Sequence, residues 1–279
     1  MSLTVFLAVL AAAFLHALWN ALLRLGGSKI GAMVMLSMAE IFIGLAIVAS
    51  RPLPAPAAWQ WLAMTTVAQV AYKFFLARAY EEGDLSRVYP LARGTAPMLV
   101  ALATAALALD HIAPMGYLGI AVLGCGILFM ARGVFTDGES RKMLPFAIGS
   151  AIATASYTLI DGIGGRVSGD VVAYVGWILV LSGGSFSAGM LALRGPGLIR
   201  GQSPRAWLTA GIAALTSYVA YAVSIWAMTK APIALVAVLR ETSILFAVLI
   251  GWLVFGERMT RAKALAAVLI VCGVIMTRI

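Results

Sequence analysis

The sequence predicts an all-α integral membrane protein, with ten transmembrane helices in two inverted five-helix repeats around a central cavity. Three observations predict it. Of 279 residues, 62% are hydrophobic and only 11% are charged, against about 45–50% and about 25% in soluble domains. Apolar runs recur at about the 20 residues that a helix needs to cross roughly 30 Å of hydrocarbon. The second half of the chain repeats the first.

The first repeat, residues 1–140, is expected to hold spans at 3–23, 31–49, 59–80, 88–109 and 116–132. The second, residues 141–279, is expected to hold spans at 144–164, 171–193, 206–229, 233–255 and 262–277. Breakers separate them: GGSKIG, RPLPAPAA and RGPGLIRGQSPR, and Pro232, which suits a first helical turn. The first run lacks a basic n-region and exceeds an h-region in length, so it reads as a retained span. Cys125 and Cys272 both lie inside apolar runs and indicate no disulfide framework.

The net charge of +9 points to membrane topology and not to nucleic acid, because the basic residues cluster in the breaks between spans. Alternate breaks carry thirteen Lys and Arg on one face (Arg24, Lys29, Arg78, Arg87, Arg132, Arg141, Lys142, Arg194, Arg200, Arg205, Arg258, Arg261, Lys263) and four on the other (Arg51, Arg166, Lys230, Arg278). The positive-inside rule then puts the richer face in the cytoplasm and both termini outside.

The self-alignment is gapless where it is strongest. LARGTAPMLV matches VLRETSILFA, pairing Arg93 with Arg240, Thr95 with Thr242, Asp110 with Glu257, Cys125 with Cys272 and Gly126 with Gly273. HALWN in the first span matches YTLID more weakly, pairing His16 with Tyr157 and Asn20 with Asp161. Since five is odd, the second copy enters from the opposite face. Inverted repeats of this kind characterise secondary transporters that bind cargo near the midplane.

Ten spans in two halves, HALWN in the first span, and the closing FGERMT before a Gly-containing last span resemble the drug/metabolite transporter superfamily, in its EamA-like branch. The first half departs from that pattern, with LDHIAP where GE-type residues are expected. The resemblance implies a bacterial inner-membrane protein that exports small metabolites by alternating access. It is similar to exporters of aromatic and neutral amino acids.

Ionisable groups inside a span cost at least about 2.5 kcal/mol on insertion scales, so they face a wet cavity or one another. Three are basic (Lys73, Arg93, Arg240) and three acidic (Glu40, Asp161, Glu241), and the equal numbers predict internal pairing or a coupling role. Arg240 and Glu241 are successive, about 100° apart on a helix, so each needs a partner elsewhere. The repeat places Arg93 and Arg240 symmetrically about the midplane. A guanidinium there either orients a substrate carboxylate or forms an interhelical salt bridge. Glu40 and Glu241 are candidates for proton coupling or for neutralising a nearby cation, and Lys73 is expected close enough to the cytoplasmic face to snorkel.

His16, Trp19 and Asn20 share one face of the first span, at spacings of three and four. That patch is expected to line the cavity, or else to join helices. Tyr157, Tyr218, Tyr221 and Trp177 complete an expected aromatic lining. Pro90 and Pro97 predict a kink in the fourth span that suits gating. With His16 and His111 its only histidines, and without HExxH, GxSxG or Walker motifs, the chain offers no expectation of an enzyme, a metal or a cofactor. The expected partners are a small-molecule substrate and the bilayer, with a monomer sufficient. A broader drug or nucleotide-type exporter is the alternative reading, and a polytopic membrane enzyme a weaker one.

Overall fold

A computed structural model describes residues 1–24, 29–82, 94–131, 141–256 and 261–277. In the first half, α1 (Leu3–Arg24), α2 (Lys29–Ser50) and α3 (Trp59–Glu82) are followed by α4 (Ala96–Ala106) and α5 (Pro114–Ala131). The second half contains α6 (Leu144–Val167), α7 (Val171–Arg194), α8 (Pro204–Met228), α9 (Ile233–Arg240), α10 (Ser243–Phe255) and α11 (Arg261–Met276). Short 3₁₀ turns at Pro56–Ala58 and Arg141–Met143 lead into α3 and α6.

Local chemistry fixes several ends. Asp170 caps α7, its Oδ1 accepting from the backbone of Val172 (2.8 Å) and Ala173 (3.1 Å). Ser203 caps α8 by accepting from Ala206, with Pro204 in the first turn, where the missing N–H costs no bond. Gly256, with φ of 66°, ends α10 in the left-handed region that glycine enters without strain.

The bundle exposes large apolar side chains and buries its membrane-embedded charged groups among apolar clusters. Phe42 and Val67 are 70% and 72% exposed, whereas Asp161 is 1% exposed and Glu40, Lys73, Arg240 and Glu241 are also buried. That inversion makes lipid the natural solvent of the outer surface. Six of the described helices are long and apolar enough to cross a membrane, counting Ile233–Phe255 as one, and those at Ala96–Ala106, Pro114–Phe129 and Lys263–Met276 are apolar but shorter. α3 has the length, at 24 residues, and a less apolar sequence because it carries Gln69, Lys73 and Arg78.

The closest helix pairs are α1 with α8, α2 with α7, α3 with α6, and α5 with α11. Glycine permits the last of these. A Cβ on Gly273 would stand 2.7 Å from the Gly119 carbonyl oxygen, and one on Gly119 would meet the Gly273 carbonyl at the same distance.

Two details differ from the expected spans. The ninth is divided, because α9 ends at Arg240 and α10 begins at Ser243. Across the break the backbone tightens: Glu241 N donates to Val238 O and Thr242 N to Leu239 O, while the Thr242 hydroxyl also donates to Leu239 O at 2.7 Å. A β-branched hydroxyl competing for the helix carbonyl explains why the regular pattern lapses there. Its repeat mate Thr95 stands at the matching place, immediately before α4. Pro97 therefore occupies the first turn of a helix instead of kinking its middle. Pro90 and Arg93 lie outside the described residues.

Candidate functional site

The helices enclose a cavity between α1, α2, α3, α6, α7, α8 and α9. Its lining includes His16 and Trp19 from α1, Glu40 from α2, Gln69, Tyr72 and Lys73 from α3, Tyr157 from α6, Ser217 and Tyr221 from α8, and Arg240 from α9.

On one side lies a buried ion pair. Lys73 Nζ is 2.9 Å from Glu40 Oε2 and donates to Ser37 Oγ at 2.9 Å. Ser217 Oγ donates to the other carboxylate oxygen, Oε1, at 3.2 Å. Each ion thus has its opposite charge and a neutral hydrogen-bond partner, the condition under which a buried pair is tolerated. The sequence allowed Lys73 to snorkel; the structure instead turns its ammonium inward, because Glu40 is within reach.

On the opposite side Asp161 lies one layer behind the wall. Tyr174 donates to its Oδ1 at 3.1 Å, and Tyr221 donates to Oδ2 through a short hydrogen bond. The Gln69 amide is shared between Oδ2 (3.5 Å) and the Tyr221 hydroxyl (2.8 Å). These donors come from three helices and all are neutral.

Aromatic rings connect the two sides. Tyr72 and Tyr157 meet edge to face at 5.4 Å between centroids, and Tyr157 and Tyr221 at 6.1 Å. The Arg240 guanidinium carbon lies 5.6 Å from the Tyr221 ring centroid. Among the described residues no carboxylate forms an ion pair with it, so its charge is met by an aromatic face and by the cavity. Trp19 Nε1 donates to His16 Nδ1 at 3.2 Å, which leaves Nε2 to carry the neutral imidazole's proton.

Of the residues singled out from sequence, His16, Trp19, Glu40, Lys73, Tyr157, Tyr221 and Arg240 line this one cavity. Asn20 turns away, its amide donating to the His16 carbonyl at 2.8 Å one turn back in its own helix. Trp177 packs its ring 5.0 Å from Trp59, and Tyr218 joins the same apolar cluster with Tyr174 and Ile178. On α8 the lining role falls to Tyr221, which packs against the same cluster and also lines the cavity, as Tyr218 does not. Glu241 faces a smaller cleft that it shares with Arg240, Pro97, Thr154 and Thr158. Gln69 and Tyr174 were missed. The signal for Gln69 was present, since it stands four residues before Lys73 and so shares its helix face.

Near the far ends of α6 and α8, a third network ties the halves together. Arg166 Nη2 is 2.9 Å from Asp110 Oδ1 and also donates to the Ala231 carbonyl at 3.3 Å, while Nε donates to the Met228 carbonyl at 2.9 Å. Asp110 Oδ2 in turn accepts from the backbone of Ile233 at 2.7 Å, capping α9. Arg51 and Asp170 add a longer pair, 3.5 Å, between α2 and α7. Among the described residues no three His, Cys, Asp or Glu side chains gather as a metal site requires.

A multi-helix membrane bundle with an internal, mainly apolar cavity that carries a few charged side chains, and with a divided helix at its edge, has the form of a small-molecule transporter. The comparisons agree. The model of the EamA-like transporter family matches residues 141–279. The chain belongs to the EamA-like transporter family, whose members move small molecules across membranes and are generally not enzymes. One crystal structure aligns over 99% of this chain and 98% of that chain, with a TM-score of 0.74 at 18% identity, a likeness of fold. No curated protein matches the sequence.

Proposed function

We propose that this chain is a secondary transporter of the bacterial inner membrane that exports small organic metabolites, with aromatic and neutral amino acids as its cargo. It works by alternating access and is complete as a monomer. The single observation that carries the cargo assignment is Arg240: a buried guanidinium lining the cavity, with an aromatic ring on one side and no acidic partner among the described residues. A planar cation so placed suits a carboxylate, which it can bind through two parallel hydrogen bonds. The charged side chains of the lining are Lys73, Arg240 and Glu40, a positive balance that disfavours cationic drugs. Tyr221 lies beside the guanidinium, and Tyr72, Tyr157 and Trp19 add flat apolar surface to the same cavity.

Alternating access rests on the two halves, 1–140 and 141–279, acting as inverted five-helix repeats. Exchanging the halves carries the α1–α8 pair onto α6–α3 and maps α2–α7 and α5–α11 onto themselves. The aligned Thr95 and Thr242 both stand at helix breaks, where a change of dihedral angle is cheapest. In this reading both termini are outside, and the Asp110–Arg166 network closes the outer end.

The test is counterflow in proteoliposomes preloaded with unlabelled cargo. Labelled L-phenylalanine and L-leucine are expected to enter against their unlabelled forms without any ion gradient, whereas phenethylamine, which lacks the carboxylate, is expected to stay out. Absence of counterflow across a panel of amino acids from folded, reconstituted protein would refute the assignment.

A further inference from the structure

We infer that Asp161 is a proton-binding site through which export is coupled to the inward flow of protons, and that Tyr221 transmits its protonation state to the amino group of the cargo. The inference rests on the transporter reading and deepens it, from a carboxylate-bearing cargo to a zwitterionic one exchanged for a proton.

The first ground is the surroundings of the carboxylate. Asp161 is buried in the last third of α6, a helix long and apolar enough to span the membrane, and all its hydrogen-bond donors are neutral. The charged and titratable groups on the elements packed against it have other partners. Lys73 on α3 is held by Glu40 and Ser37. Arg166, farther along α6, is held by Asp110 and two carbonyls. Arg240 on α9 lies against the ring of Tyr221, while its neighbour Glu241 faces the smaller cleft. Tyr157, on α6 itself, packs between Tyr72 and Tyr221, and Tyr174 and Tyr221 are donors to Asp161. A proton taken up there strands no cation among the described residues, since the nearby cations are held by other partners. Glu40 differs, because a proton there would strand the Lys73 ammonium.

The second ground is access. Asp161 does not line the cavity, but Tyr221 and Gln69 do, and both are hydrogen-bonded to its Oδ2 and to each other. Cavity water thus reaches the carboxylate through one hydroxyl: Tyr221 Oη accepts a proton as it passes its own to Oδ2. On the far side the site is tightly built. Gly164 leaves room for the Tyr174 hydroxyl, which a methyl group there would overlap.

The third ground is the direction in which Tyr221 points its dipole. With Asp161 ionised, Tyr221 donates to it, and the phenolic oxygen that accepts from Gln69 keeps its second lone pair as an acceptor for an ammonium group in the cavity. With Asp161 protonated, the acid O–H donates to Tyr221, whose own hydroxyl hydrogen then turns toward the cavity and opposes an ammonium. Arg240 holds the cargo carboxylate on the ring side of the same tyrosine. A zwitterion therefore binds the ionised site and leaves the protonated one. One proton enters as one amino acid departs.

Two measurements on the intact protein test this. Infrared difference spectra on acidification are expected to show the C=O stretch of a protonated carboxylic acid that Asp161→Asn abolishes and that Tyr221→Phe retains at a shifted frequency. In proteoliposomes, an imposed difference of one pH unit, acid inside, is expected to raise accumulation of external labelled L-phenylalanine by wild type roughly tenfold, as one-for-one exchange requires, and this response is expected to vanish in Asp161→Asn, whose residual exchange is expected to be weak and flat with pH. Should Asp161→Asn fail to fold, Tyr221→Phe is expected to lose the gradient response while keeping the infrared band. An acid band identical in wild type and Asp161→Asn would overturn the inference. So would an unchanged pH profile in a folded Asp161→Asn protein or an undiminished gradient response in Tyr221→Phe. Counterflow with no gradient response in wild type refutes the coupling alone, whereas a titrating Asp161 with no counterflow of any amino acid refutes the transport reading and the coupling with it.

Discussion

Lys73→Met probes the ion pair that joins α2 to α3. Lys73 and Glu40 are each 5% exposed and their charged atoms are 2.9 Å apart. Methionine keeps most of the apolar stem and removes the ammonium, so Glu40 is left buried with only the Ser217 hydroxyl, 3.2 Å from Oε1. Stranding one partner of a buried pair costs about 3–5 kcal/mol. The low end applies here, because Ser217 still donates and Glu40 can take up a proton. At roughly 2–4 °C per kcal/mol for a chain of this size, about 3 kcal/mol lowers Tm by roughly 6–12 °C. Thermal unfolding of the detergent-solubilised protein reads this directly. The double variant Glu40→Gln/Lys73→Met removes both charges and is expected to recover most of the loss, so that the two single losses are far from additive in the double-mutant cycle. A Lys73→Met protein melting within about 2 °C of wild type, or a double variant as unstable as the single, would refute the reasoning.

Two further outcomes follow from packing and from the end network. Gly273→Val is expected to force α5 and α11 apart, since its Cβ would meet backbone atoms of Gly119 and Leu123 at 2.7 Å. The expected loss is about 1–3 kcal/mol, read as a lower Tm. Gly184→Ala, whose Cβ meets nothing within 4 Å, is the control and is expected to melt like wild type. Asp110→Asn keeps an acceptor for Ile233 but removes the charge that faces Arg166. Losing about 1.5 kcal/mol of charge-assisted hydrogen bonding should raise opening at that end about tenfold. A cysteine placed at Ala231, in a background with Cys125 and Cys272 replaced by alanine, is then expected to react faster with a thiol reagent. An unchanged rate would show that this network does not hold the end closed.

The membrane class was legible because lipid imposes a simple rule of length and polarity, while the expectation of a repeat rests on Arg, Thr, Cys and Gly recurring at constant spacing. Inward-facing residues such as His16, Glu40 and Arg240 were found for a related reason: a polar side chain within an apolar run has few places to go. Orientation around a helix was harder to read. Tyr218 and Tyr221 are three residues apart and pack against one apolar cluster, yet only Tyr221 lines the cavity and reaches Asp161 with its hydroxyl. Asn20 shared the face of His16 and bonded instead to its own helix backbone, a local competition that spacing does not reveal. The division of the ninth span was equally hidden. It comes from one threonine hydroxyl and a tightened turn inside a sequence that reads as continuously apolar.

The central claim is that Arg240 receives the carboxylate of the cargo, and the most direct measurement compares KM for L-phenylalanine counterflow in wild type, Arg240→Lys and Arg240→Gln. Loss of a charge-assisted contact worth about 1.5–3 kcal/mol predicts a KM roughly 10- to 100-fold higher in Arg240→Gln. Arg240→Lys is expected to lie between, because a point charge replaces the two-pronged contact. Equal KM values in all three folded proteins would contradict the account.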